Sequence, residues 1–276
     1  MNRKELDPQS SPRAAFGSQL RSSREARGWS QAELAERIKC SASYVSAVET
    51  GRKSTSLKFA KSADAALGTG QTLELMWIGA RRRGFIEGFP EHAAQETRAV
   101  EIRIFEPNRI PGLLQTLDYA AAIEAAGVAR AGATQEQADE RLKFLTTRQR
   151  LLKREMPPLI HAVIAENCLR QPIGGAKTMG AQLDHLVALA ARPQVIIQVA
   201  PFRMAELVPF TAVMTLLTFA DRSVVGYAES ADEGHVVRRE KTISAWERAY
   251  HQLQVEALTQ AASLTLISKA REELQS

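Results

Sequence analysis

The chain has 276 residues, 45% hydrophobic and 24% charged, enough apolar material for two domains with cores of their own, which excludes a wholly disordered polymer. Its 36 Lys+Arg against 31 Asp+Glu give a formal charge of +5, distributed unevenly: residues 1–90 carry 15 basic and 9 acidic residues, residues 91–276 carry 21 and 22. A positive excess confined to the first third is expected of a segment that meets a polyanion, and it excludes a uniformly basic coat protein. Two cysteines, Cys40 and Cys168, are too few for a disulfide framework and point to a reducing compartment. Residues 1–12 are polar, without the apolar core of a signal peptide, and no run reaches the roughly 18 apolar residues of a membrane span. A cytoplasmic protein with no membrane partner is expected.

Four segments follow in chain order. Residues 1–12, with two prolines and several serines, read as a flexible tail. Residues 13–70 carry short helical patterns in close succession. Residues 71–99 begin with an apolar helix start (Leu73, Leu75, Met76, Trp77), continue with Arg81, Arg82 and Arg83, and then hold Gly84, Gly88 and Pro90. This stretch is expected to be a connector with some helix. Residues 100–276 alternate β-like runs (101–105, 159–165, 195–199, 212–219, 224–228) with helical ones (112–126, 135–154, 176–191, 240–258). Thr134 and Gln137 make a capping-box pattern at the second of these helices, with Ala138, Leu142, Leu145 and Leu152 near one face. Ile243, Trp246, Tyr250 and Leu253 form a stripe on the last. The fold class expected is multidomain: an all-α N-terminal domain, then an α+β domain with a mixed sheet and packed helices.

The segment 29–51 carries the most specific pattern. Ser30 and Glu33 form a capping box, with Trp29 and Leu34 as its hydrophobic staple. A helix over 31–38 follows. Ser41 caps a second helix that runs to Glu49, with Cys40 and Val45 as a second staple. Leu34, Ile38, Val45 and Val48 face inward, and Ala35 is small where the two backbones cross. Two short helices on a tight turn make a helix-turn-helix, whose second helix protrudes far enough to enter a major groove about 12 Å wide. An ordinary helical hairpin in a bundle is the alternative. Flanking helices over 13–27, with Phe16 and Leu20 inward, and 57–67, ended by Gly68, complete the domain.

On these residues, 13–70 resemble the XRE (lambda-repressor-like) helix-turn-helix family, including Glu49-Thr50-Gly51-Arg52-Lys53 after the second helix. The resemblance implies operator binding, commonly as a homodimer on palindromic half-sites of double-stranded DNA. It places Gln31 against phosphate and Ser41, Ala42, Ser43, Tyr44, Ser46 and Ala47 at the recognition surface. Arg52 and Lys53 would touch phosphates, with Arg21 or Arg24 as further phosphate contacts. Two departures stand out. Lys39 occupies the turn position where the family usually has Gly, so either a lysine adopts the left-handed conformation or the turn differs. The recognition face also lacks Arg, Asn and Gln, so backbone contacts and DNA shape are expected to carry much of the affinity, with strong salt dependence.

Residues 100–270 resemble the antitoxin-like domain that follows such modules in actinobacterial (Streptomyces-type) regulators. The matching segments are Ile110-Pro111-Gly112-Leu113-Leu114-Gln115-Thr116 with Tyr119-Ala120, Arg148-Gln149, Glu166 with Leu169-Arg170, and Ile173-Gly174-Gly175. Gln182-Leu183 with Leu186, Val199-Ala200-Pro201-Phe202, Pro209-Phe210 and Tyr227-Ala228-Glu229 complete the series. The resemblance implies a transcriptional regulator whose large domain receives a ligand or a small partner protein, and it supplies no catalytic set. The residues themselves offer little chemistry. Gly174-Gly175-Ala176-Lys177-Thr178 lacks the upstream glycine of a phosphate loop. Cys168, His161 and Glu166 cluster around one strand without an oxyanion-forming loop, and the five histidines have no metal-ligand spacing. No cofactor, metal or catalytic residue is expected. Glu166 and Glu229 end apolar strands, and with Tyr227 and Gln115 form a candidate ligand or partner pocket. Ion pairing of the glutamates, with Arg148 or Arg170, is the structural alternative.

The expected function is a sequence-specific, dimeric DNA-binding transcriptional regulator, not an enzyme, whose C-terminal domain modulates DNA binding through a ligand or a small protein encoded by an adjacent gene. The alternatives are an antitoxin-like interaction protein that mainly sequesters that partner, with DNA binding for autoregulation, and an enzyme with a DNA-binding tether.

Overall fold

In the computed structural model, which describes residues 12–53, 55–80, 85–86, 88–229 and 234–274, helices begin where the sequence supplies caps. The expected tail, but for its last residue, and Arg81, Arg82 and Arg83 lie outside the described residues. Ser30 Oγ accepts the Glu33 backbone N–H at 3.2 Å while Glu33 Oε2 accepts the Ser30 N–H at 2.7 Å, so two orphan donors are satisfied reciprocally. This box opens α2 (Gln31–Arg37), which follows α1 (Pro12–Ala26). Ser41 caps α3 (Ala42–Glu49), its Oγ accepting the Tyr44 N–H, and Ser56 caps α4 (Leu57–Leu67) in the same way. Gly68, left-handed at φ 66°, ends α4.

Most of the described part of the stretch expected as a connector packs with this unit. It forms α5 (Thr72–Ala80) and α6 (Phe89–Glu96). Leu73, Met76 and Ala94 pack into one core with Phe16, Leu20, Leu34, Val45, Val48, Phe59 and Leu67. A buried carboxylate fixes the start of α5: Asp64, on α4, accepts the backbone N–H groups of Leu73 at 3.0 Å and Glu74 at 2.8 Å. By contact density the described residues up to Phe85, with Phe89–Arg98, form one unit, and Ile86 and Gly88 with the described residues from Ala99 form the other.

α1 and α3 touch backbone to backbone. A Cβ at Gly17 would lie 2.5 Å from the Val48 carbonyl oxygen, so only glycine fits there. The turn between α2 and α3 is closed by Lys39 in the left-handed region, φ 56°, with the Cys40 N–H donating to Ala35 O at 2.9 Å. Of the two arrangements open from the sequence, the lysine therefore adopts the glycine conformation.

The second unit is built on one mixed sheet of β1 (Glu101–Glu106), β2 (Leu159–Ala165), β3 (Val195–Ala200), β4 (Met214–Thr218), β5 (Val224–Glu229) and β6 (Gly234–Val237), in the order β3-β2-β1-β4-β5-β6. β1, β2 and β3 are parallel, and β4, β5 and β6 continue antiparallel. Its helices are α7 (Leu117–Ala129), α8 (Gln135–Gln149), the short α9 (Asn167–Arg170), α10 (Gly175–Ala190), α11 (Glu240–Glu256) and α12 (Gln260–Glu273). Ile102, Ile104, Ile160, Ile164, Ile197 and Val199 face a core shared with Tyr119 of α7, Leu183 and Leu186 of α10, and Ile267 of α12. On the opposite face Phe105, Val163, Met214 and Leu216 meet Ile243, Tyr250 and Leu253 of α11. The architecture is thus a helical half followed by an α+β half with a mixed six-stranded sheet.

Three elements were not anticipated: α9, α12 and β6. The expected helix over 112–126 is broken. Gly112–Leu114 is a 3-10 turn, and Thr116 then caps α7. The expected helix over 135–154 ends at Gln149 and continues as a 3-10 turn, Arg150–Lys153. On α8 the fully buried positions are Ala138, Phe144 and Thr147, whereas Leu142 and Leu145 are only half-buried.

Replacing Lys39 by glycine removes a left-handed penalty of about 1–2 kcal/mol at the cost of extra chain entropy, for a net gain of about 0.5–1 kcal/mol. The expected outcome is a higher urea midpoint for the helical unit, followed through Trp29 and Trp77 fluorescence, with α-helical content unchanged.

Candidate functional site

The outer face of α3 is small and uncharged. Ser41, Ala42 and Ser43 are exposed, and Ser46 and Ala47 are half-exposed one turn further along α3. Ser41 Oγ and Ser43 Oγ lie 3.0 Å apart at the start of the helix. Tyr44 sits differently from these neighbours. Its ring packs edge-on against Phe59 with centroids 5.4 Å apart, and its hydroxyl meets Thr55 Oγ1 at 3.4 Å, so it joins the helical core to the segment after α3. Positive charge flanks the face. Arg52 and Lys53 are exposed at the α3 exit; Arg52 Nε donates to Thr50 Oγ1 at 2.9 Å, and Lys53 Nζ stands 4.9 Å over the Tyr44 ring. On α2, Arg37 lies 4.0 Å over the Trp29 ring.

Beneath this face lies a charged network that the sequence did not reveal. Arg24, on α1, is only 6% exposed and Glu49, the last residue of α3, only 3%. Arg24 Nε donates to Glu49 Oε1 at 2.6 Å and Nη2 to Oε2 at 3.0 Å, a bidentate pair, while Nη1 donates to the Trp29 carbonyl at 2.6 Å. Gln31, the first residue of α2, donates its side-chain N–H to Glu49 Oε2 at 2.7 Å. The Glu49 hydrogen bonds and charge hold the Arg24 guanidinium above its ordinary pKa against the opposing effect of burial. The expectation that Arg24 touches phosphate is therefore corrected: its donors are spent inside the unit. Arg21 pairs with Glu25 along α1 at 3.0 Å.

In the α+β unit the four candidate pocket residues divide. Tyr227, 1% exposed, donates its hydroxyl to Glu229 Oε1 at 2.9 Å. Gln115 donates to the Ile110 carbonyl at 2.7 Å, part of a lacing in which Gln149 and Gln182 amides also hold the 110–116 segment. Glu166 takes the ion-pair alternative, with Arg170 Nη2 at 3.0 Å, and accepts the Phe202 backbone N–H at 3.1 Å. Arg170 also pairs with Glu273. Cys168, His161 and Glu166 do not act together. His161 faces α11 and bonds Gln198 and Gln254, whereas Cys168 lies in the core on the other face of the sheet, its Sγ 3.4 Å from the Glu106 carbonyl. Burial pushes the Cys168 thiol well up, away from the nucleophilic thiolate.

Sequence reasoning missed Glu106. The registers Ile104↔Thr215 and Thr215↔Tyr227 put Glu106 and Glu229, each two residues further on, on one face at the same end of the sheet. Burial pushes the Glu106 carboxyl up to about 7, with the charge of Glu229 acting in the same direction, against the lowering effect of the Asn108 N–H bond. The signal in the sequence was faint: a glutamate ending an otherwise alternating strand, as Glu166 and Glu229 follow or end theirs. Among the described residues no group of three His, Cys, Asp or Glu is placed to hold a metal ion, and no helix is long and apolar enough to cross a membrane.

Two outcomes follow from these contacts. Glu49→Ala leaves a buried guanidinium uncompensated and is expected to cost about 3–5 kcal/mol in denaturant unfolding of the helical unit, whereas Arg24→Met with Glu49→Leu recovers most of it. Glu106 holds its proton in the folded state at pH values where the unfolded chain has released it. Its contribution is complete below about 4.5, the ordinary carboxyl value, and is lost as pH rises through about 7. The urea midpoint of the α+β unit is therefore expected to fall between pH 5.5 and 8, and Glu106→Gln to flatten that slope.

Two family models match the chain, one in each half. A helix-turn-helix domain matches residues 15–75, and a domain of unknown function (DUF5753) matches residues 89–269. No curated protein and no solved structure matches the chain. With the second match spanning well over half its length, the chain belongs to the DUF5753 family, and it carries that domain behind an N-terminal helix-turn-helix domain.

Proposed function

We propose that this protein is a sequence-specific transcriptional regulator of the XRE (lambda-repressor-like) type, of actinobacterial character, which binds double-stranded DNA as a homodimer and whose α+β domain modulates that binding through a ligand or a small partner protein. The observation that carries the reading is the α3 face: small neutral side chains, exposed and rigidly capped, with Arg52 and Lys53 at its exit. In this reading Gln31, Arg52 and Lys53 contact phosphates. Ser41, Ala42, Ser43, Ser46 and Ala47 line the groove, where a hydroxyl or methyl contact discriminates between bases only weakly. Tyr44 acts from behind as packing. Affinity then rests on phosphate contacts and on DNA shape, and falls steeply with salt.

In the α+β domain the end of the sheet bearing Tyr227, Glu229 and Glu106 is the proposed entry point of the signal, because ligands of open α/β sheets collect outside the carboxyl ends of their strands. Phe202, 57% exposed, follows β3 at that end, and Leu207, 50% exposed, lies five residues on. Such apolar exposure favours a second reading, in which the domain chiefly holds a small protein partner and DNA binding serves autoregulation.

The test is enrichment of duplexes from a random-sequence pool by the full chain, followed by gel retention of the enriched duplex. Ser43→Glu with Arg52→Ala sets a carboxylate against the phosphates and removes a cation, and is expected to abolish retention while leaving the circular dichroism unchanged. Undiminished retention by this variant would falsify the placement of the recognition face.

A further inference from the structure

We propose that Glu49 is a positioning residue for DNA binding: clamped by Arg24, it takes one hydrogen of the Gln31 side-chain amide and thereby presents the other to a DNA phosphate. The proposal rests on the DNA-binding reading above, and it assigns to the buried ion pair a role beyond stability.

The geometry carries it. A primary amide has a donor end and an acceptor end, and free rotation would offer a phosphate either one. Facing a carboxylate removes that freedom, because only the nitrogen end can approach Glu49 Oε2 at 2.7 Å. The amide nitrogen has two hydrogens. Glu49 occupies one, so the second points away from the carboxylate, at the half-exposed start of α2. Glu49 cannot follow Gln31 outward, since both its oxygens are held by Arg24, at 2.6 and 3.0 Å. Arg24 is in turn tied to the Trp29 carbonyl, two residues before Gln31. The donor is thus referenced to α1, to the α2 entry and to the α3 exit at once, and its bond to a phosphate forms without ordering a free side chain. A carboxylate so close to a DNA surface would ordinarily repel it. Here the guanidinium neutralises it, and burial keeps it from the duplex.

The experiment is a double-mutant cycle on the full chain, using a duplex enriched by the wild type from a random pool, with affinity measured across a salt series and folding followed separately by circular dichroism. In the wild-type background Gln31→Ala is expected to weaken binding about tenfold and, because a neutral amide releases no counterion, to leave the slope of log affinity against log salt unchanged. In the Arg24→Met, Glu49→Leu background, where the clamp is gone, Gln31→Ala is expected to leave the affinity unchanged. The same loss in both backgrounds would overturn the proposal, and so would no loss in the wild type. If the wild type enriches no duplex at all, the DNA-binding reading falls and this inference with it. A second measurement needs no variant fold. In the spectrum of the wild-type side-chain amides, the enriched duplex is expected to shift one hydrogen of Gln31 strongly and leave its geminal partner, held by Glu49, nearly in place. Equal shifts of both would count against the clamp.

Discussion

Taking a guanidinium and a carboxylate out of water costs several kcal/mol for each ion, and the N-terminal unit is organised around recovering that cost. Arg24 and Glu49 recover it through two short parallel hydrogen bonds, and the remaining capacity of the pair is filled by the Trp29 carbonyl and the Gln31 amide. Those four groups come from α1, the α2 entry, α2 itself and the end of α3. Apolar packing of Leu34, Val45 and Val48 would hold the same helices together, but methyl groups tolerate small rotations that a bidentate pair does not. The close approach at Gly17 acts in the same sense, because the backbone of α1 rests directly on the Val48 carbonyl. The angle between α2 and α3 is therefore set from inside, and the outer face of α3 is left to small side chains, among which Ser41 caps the helix.

The α+β unit has its own organising strand. β1 lies where the parallel and antiparallel halves of the sheet meet, with β2 on one side and β4 on the other. The chain leaves the end of β1 through the laced 110–116 segment, and β4 begins on the opposite flank. Glu106 stands at that divergence, with Glu229 two strands away on the same face. Burial at this end of the sheet, with the charge of Glu229 acting in the same direction, pushes the Glu106 carboxyl from the ordinary acid range up to about 7. The other face of the sheet, around His161, Gln198, Gln254 and Tyr250, is knitted to α11 and to the segment after it and is structural in character.

How much of this was legible in the sequence depended on whether the decisive interaction was local. The capping box at Ser30, the cap at Ser41 and the glycine stop at Gly68 involve residues within four positions of one another, and each appears where the sequence placed it. The five strands expected in the second half also form, because alternation of Ile, Val and Leu is a property of one segment. What escaped was non-local or too short. α12 buries Ser263, Ile267 and Ala270, and a serine bonded to the Val199 N–H leaves no apolar stripe to detect. β6 has four residues and begins with glycine. α5 looked like a connector because its cap is Asp64, on a different helix. Arg24 was placed against phosphate by the resemblance, and its buried partner, 25 residues away, left no local trace.

In the proposed DNA-binding reading, a recognition face without Arg, Asn or Gln would have a consequence for regulation. Each serine or alanine contact separates one base from another by little, so a single helix-turn-helix of this kind distinguishes its site from bulk DNA mainly through shape. If two such units are held at the spacing of one helical turn, their small discriminations multiply, and the pair becomes selective where neither half is. Selectivity then resides in whatever fixes the distance between the halves, more than in any residue of α3. A coupling of about 1–3 kcal/mol from the α+β domain, the ordinary range for linked sites, would change occupancy by one to two orders of magnitude. In the reading proposed above, the neutral face and the large accompanying domain would belong to one design: rigid local geometry supplied by the Arg24–Glu49 pair, and control exerted through the spacing of two weak readers.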